Sequence, residues 1–475
     1  MTPNSAPVPW PGLIAIGLGA AIAPMDFAVN VAFPAISEAF ALNVAAIRWV
    51  VICYVVTYAS LMLACGKLGD VIGHRRVFCA GLVTGALAFT ACGLAVNYEW
   101  LLAARALQGV ATALVLSCAP ALVVELCGVS RRTWALSRYA MSGALAGIAG
   151  PVIGGLVIQG MGWAGVFWFR LPVTLLALLL MMRLPAPPHA FPPRQRFNFL
   201  SALLMAAALA LLLITPALAS AAMTAAFPAQ LPWVAGATGA ALLAWFVQRE
   251  RRGAEPVLPA AALRNRALLA ANLGSVMVSF TGFAIPLLTP YYLVRIGGHN
   301  AASMGLLLAT ATAGLFAAST AAPRVVRLWG QRHAILLGAA MVALAQFAIA
   351  LWTLTPAAPP LIALIAALVL HGAGIGLFQV SYTDYVVASL PYENRGVAGG
   401  LTLLTRTTGV IIAAVVLSSG FEWSESRHLA AGVAATAAFH AAFGTVFWST
   451  AVLLAGLVML AWVWPARRAV STRGS

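Results

Sequence analysis

Fourteen apolar runs of about 20 residues, separated by short arginine-bearing clusters, leave this chain of 475 residues one way to satisfy its backbone, which is as helices crossing a bilayer. With 62% of residues hydrophobic and only 8% charged, there is too little polar surface for a soluble domain of this length. Hydropathy windows place helices near 12–32, 48–68, 76–96, 101–124, 135–159, 163–182, 199–220, 231–248, 267–293, 301–322, 332–353, 360–382, 396–418 and 443–464. An even number puts both termini on one face. A net charge of +16 would suggest nucleic acid as partner in a soluble chain, but these cations sit between apolar runs, where the positive-inside rule accounts for them. With cytoplasmic termini, 21 of the 27 basic residues fall in cytoplasmic connections and the tail, among them Lys67 and Arg138; Arg48, Arg295 and Arg427 lie outside, and Arg105, Arg170 and Arg406 lie within helices. The six cysteines fall in or beside apolar runs and form no CxxC pair, so they read as small buried hydrophobes with no metal site. No basic residue precedes the first apolar run, which predicts a retained helix in place of a cleaved signal peptide.

An internal repeat organises the spans. GKLGDVIGHRR at 66–76 matches PRVVRLWGQRH at 323–333 at an offset of 257 residues, with Gly73 on Gly330 and Arg75 on Arg332. A weaker echo pairs LQGVATAL at 107–114 with LHGAGIGL at 370–377. The spacing predicts an all-α polytopic membrane protein of two six-helix bundles, 1–182 and 267–475, joined by linkers at 183–266 that hold an inserted helix pair at 199–220 and 231–248. No GxxxxGK[ST] provides for ATP, and the seven scattered histidines form no HExxH or His/Asp cluster, which argues against an enzyme. The longest outer connection, 419–442, is too short for a receptor domain.

Glycines 143, 147, 150 and 154 recur at helical spacing, followed by Gly155, so one helix face is nearly bare and a neighbouring backbone can approach; Pro151 removes a donor and bends the helix. Asp26 is the sole carboxylate deep in any predicted span, and Arg105 reaches about the same depth from its own helix. A neighbouring arginine favours a charged carboxylate and burial favours a protonated one, so a rearrangement that alters this balance can couple proton release to substrate movement. Asp26 is therefore the candidate proton carrier and Arg105 its modulator, with structural hydrogen bonding and headgroup snorkelling as the respective alternatives. His371, near the middle of its span, is a weaker proton candidate. Asn30, one turn beyond Asp26, and the Gln108/Thr112 pair are candidate cavity residues or interhelical bonds, and Arg406 joins them. In the 66–76 loop, Gly66, Gly69 and Gly73 permit a tight turn, Asp70 can accept from backbone or pair with an arginine, and Arg75 and Arg76 meet the inner leaflet. This loop reads as a conformational latch. Arg170 and Arg406 have no evident acidic partner, and with Arg105 they make the intramembrane charge positive, which suggests neutral, zwitterionic or anionic cargo.

Five segments together resemble the fourteen-helix drug:proton antiporter branch of the major facilitator superfamily: MDFAVNVAFPAI at 25–36, GKLGDVIGHRRV at 66–77, RALQGVATA at 105–113, GALAGIAGPVIGG at 143–155 and NRGVAGGLTLLTRTTGV at 394–410. The resemblance implies a major facilitator fold and a proton-coupled exporter of small amphipathic or drug-like molecules working by alternating access. It also implies a multi-pass monomer of the bacterial inner membrane whose partners are substrate, protons and lipid, with no cofactor. A metabolite importer or facilitator is the rival reading, disfavoured by the glycine ladder with Pro151. The sequence departs from the pattern at Val71, usually basic, and at Arg327, where the second loop copy usually has an acid. The second acid that exporters of cationic drugs often carry in the C-terminal half is missing from the predicted spans.

Overall fold

The computed structural model describes residues 10–128, 131–184, 199–223, 228–251, 266–354, 359–389 and 395–463, and among these every regular element is helical. The first half comprises α1 (Trp10–Ala21), α2 (Phe27–Ala39), α3 (Val44–Ile72), α4 (His74–Gly93), α5 (Tyr98–Cys127), α6 (Arg132–Met161), a single turn α7 (Gly165–Trp168) and α8 (Arg170–Arg183). A pair follows, α9 (Phe199–Met223) and α10 (Leu231–Arg251). The second half comprises α11 (Arg266–Gly282), α12 (Ala284–Arg295), α13 (Ala301–Trp329), α14 (Gln331–Leu351), α15 (Leu361–Ala388), α16 (Arg395–Ala430) and α17 (Ala435–Val463). Thirteen of the predicted crossings are long and apolar enough to span a bilayer, and the fourteenth is α9, whose apolar stretch is Leu203–Ala219. The structure is the expected all-α polytopic bundle pair with two extra helices.

The repeat is visible in local geometry. Asn43 and Asn300, 257 residues apart, cap α3 and α13 by accepting from the backbone amides of Ala46 and Ser303. Gly73 and Gly330 turn α3 into α4 and α13 into α14 at φ of 98° and 81°, conformations that a side chain would strain. The first and ninth crossings break at matching places as well, where Asp26 precedes α2 and Phe283 precedes α12. Pro24 accounts for the first break, opening a short 3₁₀ turn through Asp26. Within the weaker echo, Gly109 faces the Tyr54 carbonyl and its counterpart Gly372 faces the Ala311 carbonyl.

The halves meet through α6 on α13, α3 on α16 and α2 on α12, while α9 packs on α10 and against α3 and α16, outside the seam. Hydrogen bonds between the halves gather at the face opposite the 66–76 loop. There Ser37 Oγ and Tyr291 OH lie 2.6 Å apart, Arg48 Nη1 donates to Ser418 and Ser419 at 3.3 and 2.8 Å, and the Ala45 amide donates to Glu422 at 3.2 Å.

Three expectations are revised. The helix expected at 396–418 continues to Ala430 and the last one starts at Ala435, so the connection expected at 419–442 shrinks to residues 431–434. Hydropathy windows end where polar residues begin, whereas a helix persists into the headgroup region with its backbone bonds intact. Arg48, assigned to an outer edge, is buried in the seam within α3. Asp384, Glu422 and Glu425 consequently lie on helices of the second half, where no acid was expected.

Candidate functional site

Asp26 stands where the first crossing breaks, and its carboxylate gathers donors from three directions. Arg105 on α5 forms a two-pronged pair, Nη1 to Oδ1 at 2.8 Å and Nη2 to Oδ2 at 3.0 Å, while Gln108 Nε2, one turn further along, donates to Oδ1 at 2.9 Å. Arg170 Nη1, at the start of α8, reaches the same Oδ1 at 2.7 Å. This corrects the reading of Arg170 as lacking an acidic partner. The pairing joins positions 144 residues apart, and no periodicity reports that the last crossing of the half turns its first residue inward.

Both guanidiniums are anchored away from the acid as well. Arg105 Nε donates to the Val50 carbonyl at 3.0 Å and Nη1 to Gln108 Oε1 at 2.7 Å, with Tyr54 4.4 Å from Cζ. Arg170 Nε donates to the Val166 carbonyl at 3.0 Å and its Cζ lies 4.7 Å over Phe89, so the aromatic face offsets part of the cost of burying it. Arg105 and Arg170 are fully buried, whereas the Asp26 side chain keeps 14% of its surface open. That opening faces a cavity.

The cavity, about 680 Å³, lies between the halves and is lined by Asp26, Asn30, Arg105 and Thr112 from the first half and by His371, Gln379 and Arg406 from the second, with apolar and aromatic side chains between. Its wall extends toward the 66–76 face through Tyr139 and Thr383, and the cross-half bonds described above roof its other end. Asn30, Thr112, Arg406 and His371 all stand at the cavity wall. Gln108 does not: it is buried against the acid and serves the ion cluster. Tyr54 and Phe316, also on the wall, had no signal in the sequence that set them apart from core aromatics. Asp384, Glu422 and Glu425 are absent from the wall, so Asp26 is its sole acid among the described residues.

The glycine ladder serves two interfaces. Gly150 and Gly154 face the backbone of Met25 and Ala28, immediately beside Asp26, and Gly143 faces Pro24. Gly147 meets the Phe316 ring and Gly155 meets the Ala301 carbonyl across the seam, while Gly305 returns the contact on Pro151. One helix therefore touches both the acid-bearing segment and the opposing half.

At the 66–76 loop, Asp70 pairs with His74 Nε2 at 3.1 Å, and His74 Nδ1 meets the buried Glu125 at 2.7 Å. Arg75 donates to the Met181 and Leu184 carbonyls at 2.7 and 2.6 Å, closing the C-terminus of α8, and its repeat partner Arg332 donates to the Ala461 carbonyl at 2.6 Å on α17. Gly69 lies against the His74 ring and Cys118, and Gly66 against Ser117, so α3 and α5 approach closely there. Arg76, at the same loop, is exposed. The histidine–glutamate pair was not anticipated, because His74 and Glu125 are 51 residues apart.

Two similarly oriented repeat bundles around one central cavity, with an arginine–carboxylate cluster on its wall, define a secondary transporter. The Major Facilitator Superfamily model matches residues 16–414, and the chain belongs to that family. It is 28% identical to the tetracenomycin C resistance and export protein of Streptomyces glaucescens over 86% of this chain and 75% of that one. It is 24% identical to riboflavin transporter RibZ of Clostridioides difficile, over 87% and 89% of the respective chains. Among solved structures, the POT family transporter PepTSo superposes with a TM-score of 0.70 at 13% identity, covering 97% of this chain and all of that one, a likeness of fold.

Proposed function

We propose that this protein is a proton-coupled exporter of small amphipathic molecules, with Asp26 as the proton carrier. The observation that carries this reading is one cavity-facing carboxylate held by two buried arginines from different helices. For that acid to take a proton, the pairs must loosen, and they can loosen only if α2, α5 and α8 shift relative to one another. Proton binding and helix movement are thereby made a single event. The bare face of α6 lies directly against the acid-bearing segment and against the second half, which gives the movement a path between them. Residues 1–182 and 267–475 act as the rocking units, and the helix pair between them rides outside.

The charge bias of the connections supports cytoplasmic termini in a bacterial inner membrane, and the conformation with a cavity reaching the 66–76 face is then inward-facing. The export direction is favoured by the relative named for resistance and export. A monomer suffices, since the cavity is completed by one chain. In proteoliposomes, an imposed proton gradient should drive uptake of a fluorescent amphipathic probe by the native protein, and Asp26→Asn should retain probe binding while losing gradient dependence. Flux in the native protein that ignores the gradient would instead establish a facilitator.

A further inference from the structure

The cavity wall is electrically lopsided. On the first half, the Asp26 carboxylate is saturated from within: Oδ1 accepts from Arg105, Gln108 and Arg170, and Oδ2 accepts from Arg105. On the second half, the places corresponding to Asp26 and Gln108 hold Phe283 and His371. His371 is buried at the wall with Nδ1 unpartnered, and Gly282, beside the break at Phe283, lies against its ring. Arg406 completes this side: it is exposed within the cavity and has no carboxylate or hydrogen-bond partner among the described residues. Arg406, Thr402 and Val410 are spaced by one turn on α16, so the guanidinium belongs to the cavity-facing stripe of a crossing helix.

We propose that the cargo is an amphipathic aromatic anion whose acid group docks on Arg406, with the ring system against the apolar wall; this rests on the exporter reading above. While the cavity is open, water solvates Arg406. When it closes, the charge loses that water, and an unpaired buried guanidinium opposes closure. A bound carboxylate replaces the water with a forked charge-assisted bond, so closure is favoured around an anion and resisted around an empty cavity or a cation. An organic cation would find only Asp26, already committed to two arginines. His371 offers a further polar contact on the same side for the acid group.

The test uses three probes on one ring system, naphthoate, naphthamide and naphthylmethylammonium, with the native protein, Arg406→Gln and Arg406→Lys. Binding is read by thermal shift of the purified protein and transport by flux in proteoliposomes with and without a proton gradient. Naphthoate should bind best, Arg406→Gln should weaken it at least tenfold while leaving naphthamide within twofold, and Arg406→Lys should recover part of the loss. Preferred binding of the ammonium probe, an equal loss for all three probes in Arg406→Gln, or no binding of naphthoate would overturn the proposal. Naphthoate selectivity with gradient-independent flux would sustain the anion site while removing the proton-coupled exporter beneath it.

Discussion

Arg170 brings Nη1 to 2.7 Å from Oδ1 of Asp26, completing a cluster in which one acid is shared by two fully buried arginines. Removing the acid strands both arginines. Asp26→Asn should therefore destabilise the fold by about 3–5 kcal/mol, the usual range for breaking a buried pair from one side. Adding Arg170→Met should return a large part of that loss, and thermal unfolding in detergent across the double-mutant cycle would measure the coupling.

The seam opposite the 66–76 loop is held by few polar contacts, and each can be removed without a cavity. Tyr291→Phe deletes the hydroxyl that meets Ser37, and Arg48→Gln shortens the reach to Ser418 and Ser419. Each loss of about 0.5–1.5 kcal/mol should shift the balance roughly two- to tenfold toward opening at that face. Spin-label distances between the ends of α2 and α12 would report the shift.

Close backbone approach at the glycine face predicts a sharp positional contrast. A side chain at Gly155 would strike the Ala301 carbonyl, while one at Gly160, on the same helix, meets nothing within 4 Å. Gly155→Val should abolish transport, and Gly160→Val should leave it near the native rate in the same vesicle assay. Comparable effects at the two sites would remove the seam as the reason for the ladder.

Arg75 and Arg332 tie off α8 and α17 in equivalent fashion, each neutralising carbonyls at a helix C-terminus. Arg75→Gln should raise hydrogen exchange at the end of α8 and leave the end of α17 unchanged. Arg332→Gln should do the reverse. Arg75→Gln should cost about 1.5–3 kcal/mol, the range for a charge-assisted bond, and Arg332→Gln less, because its bond is exposed to solvent.

Much of this architecture was legible because its causes are local or periodic. Apolar length set the crossings, and the offset between Gly73 and Gly330 revealed the duplication, since only a left-handed turn requires glycine at both places. Asp26 and Arg105 could be brought to one depth by rise per residue alone. Arg170 could not be assigned to them, because depth says nothing about which face of a helix turns toward which neighbour. The His74–Glu125 pair and the Arg48 contacts escaped for the same reason. The ends of α16 and α17 were misjudged on different grounds: hydropathy measures where lipid stops, and backbone hydrogen bonds continue beyond it.

α16 is one unbroken helix of 36 residues, about 54 Å against a hydrocarbon core of about 30 Å. Arg406 lies on its cavity stretch, and Ser419 and Glu422, which engage Arg48 and Ala45, lie 13 and 16 residues further on. A stiff rod carries both. Pulling on the guanidinium thus acts as a crank, levering the far clasp about 20 Å away without any relay of intervening side chains.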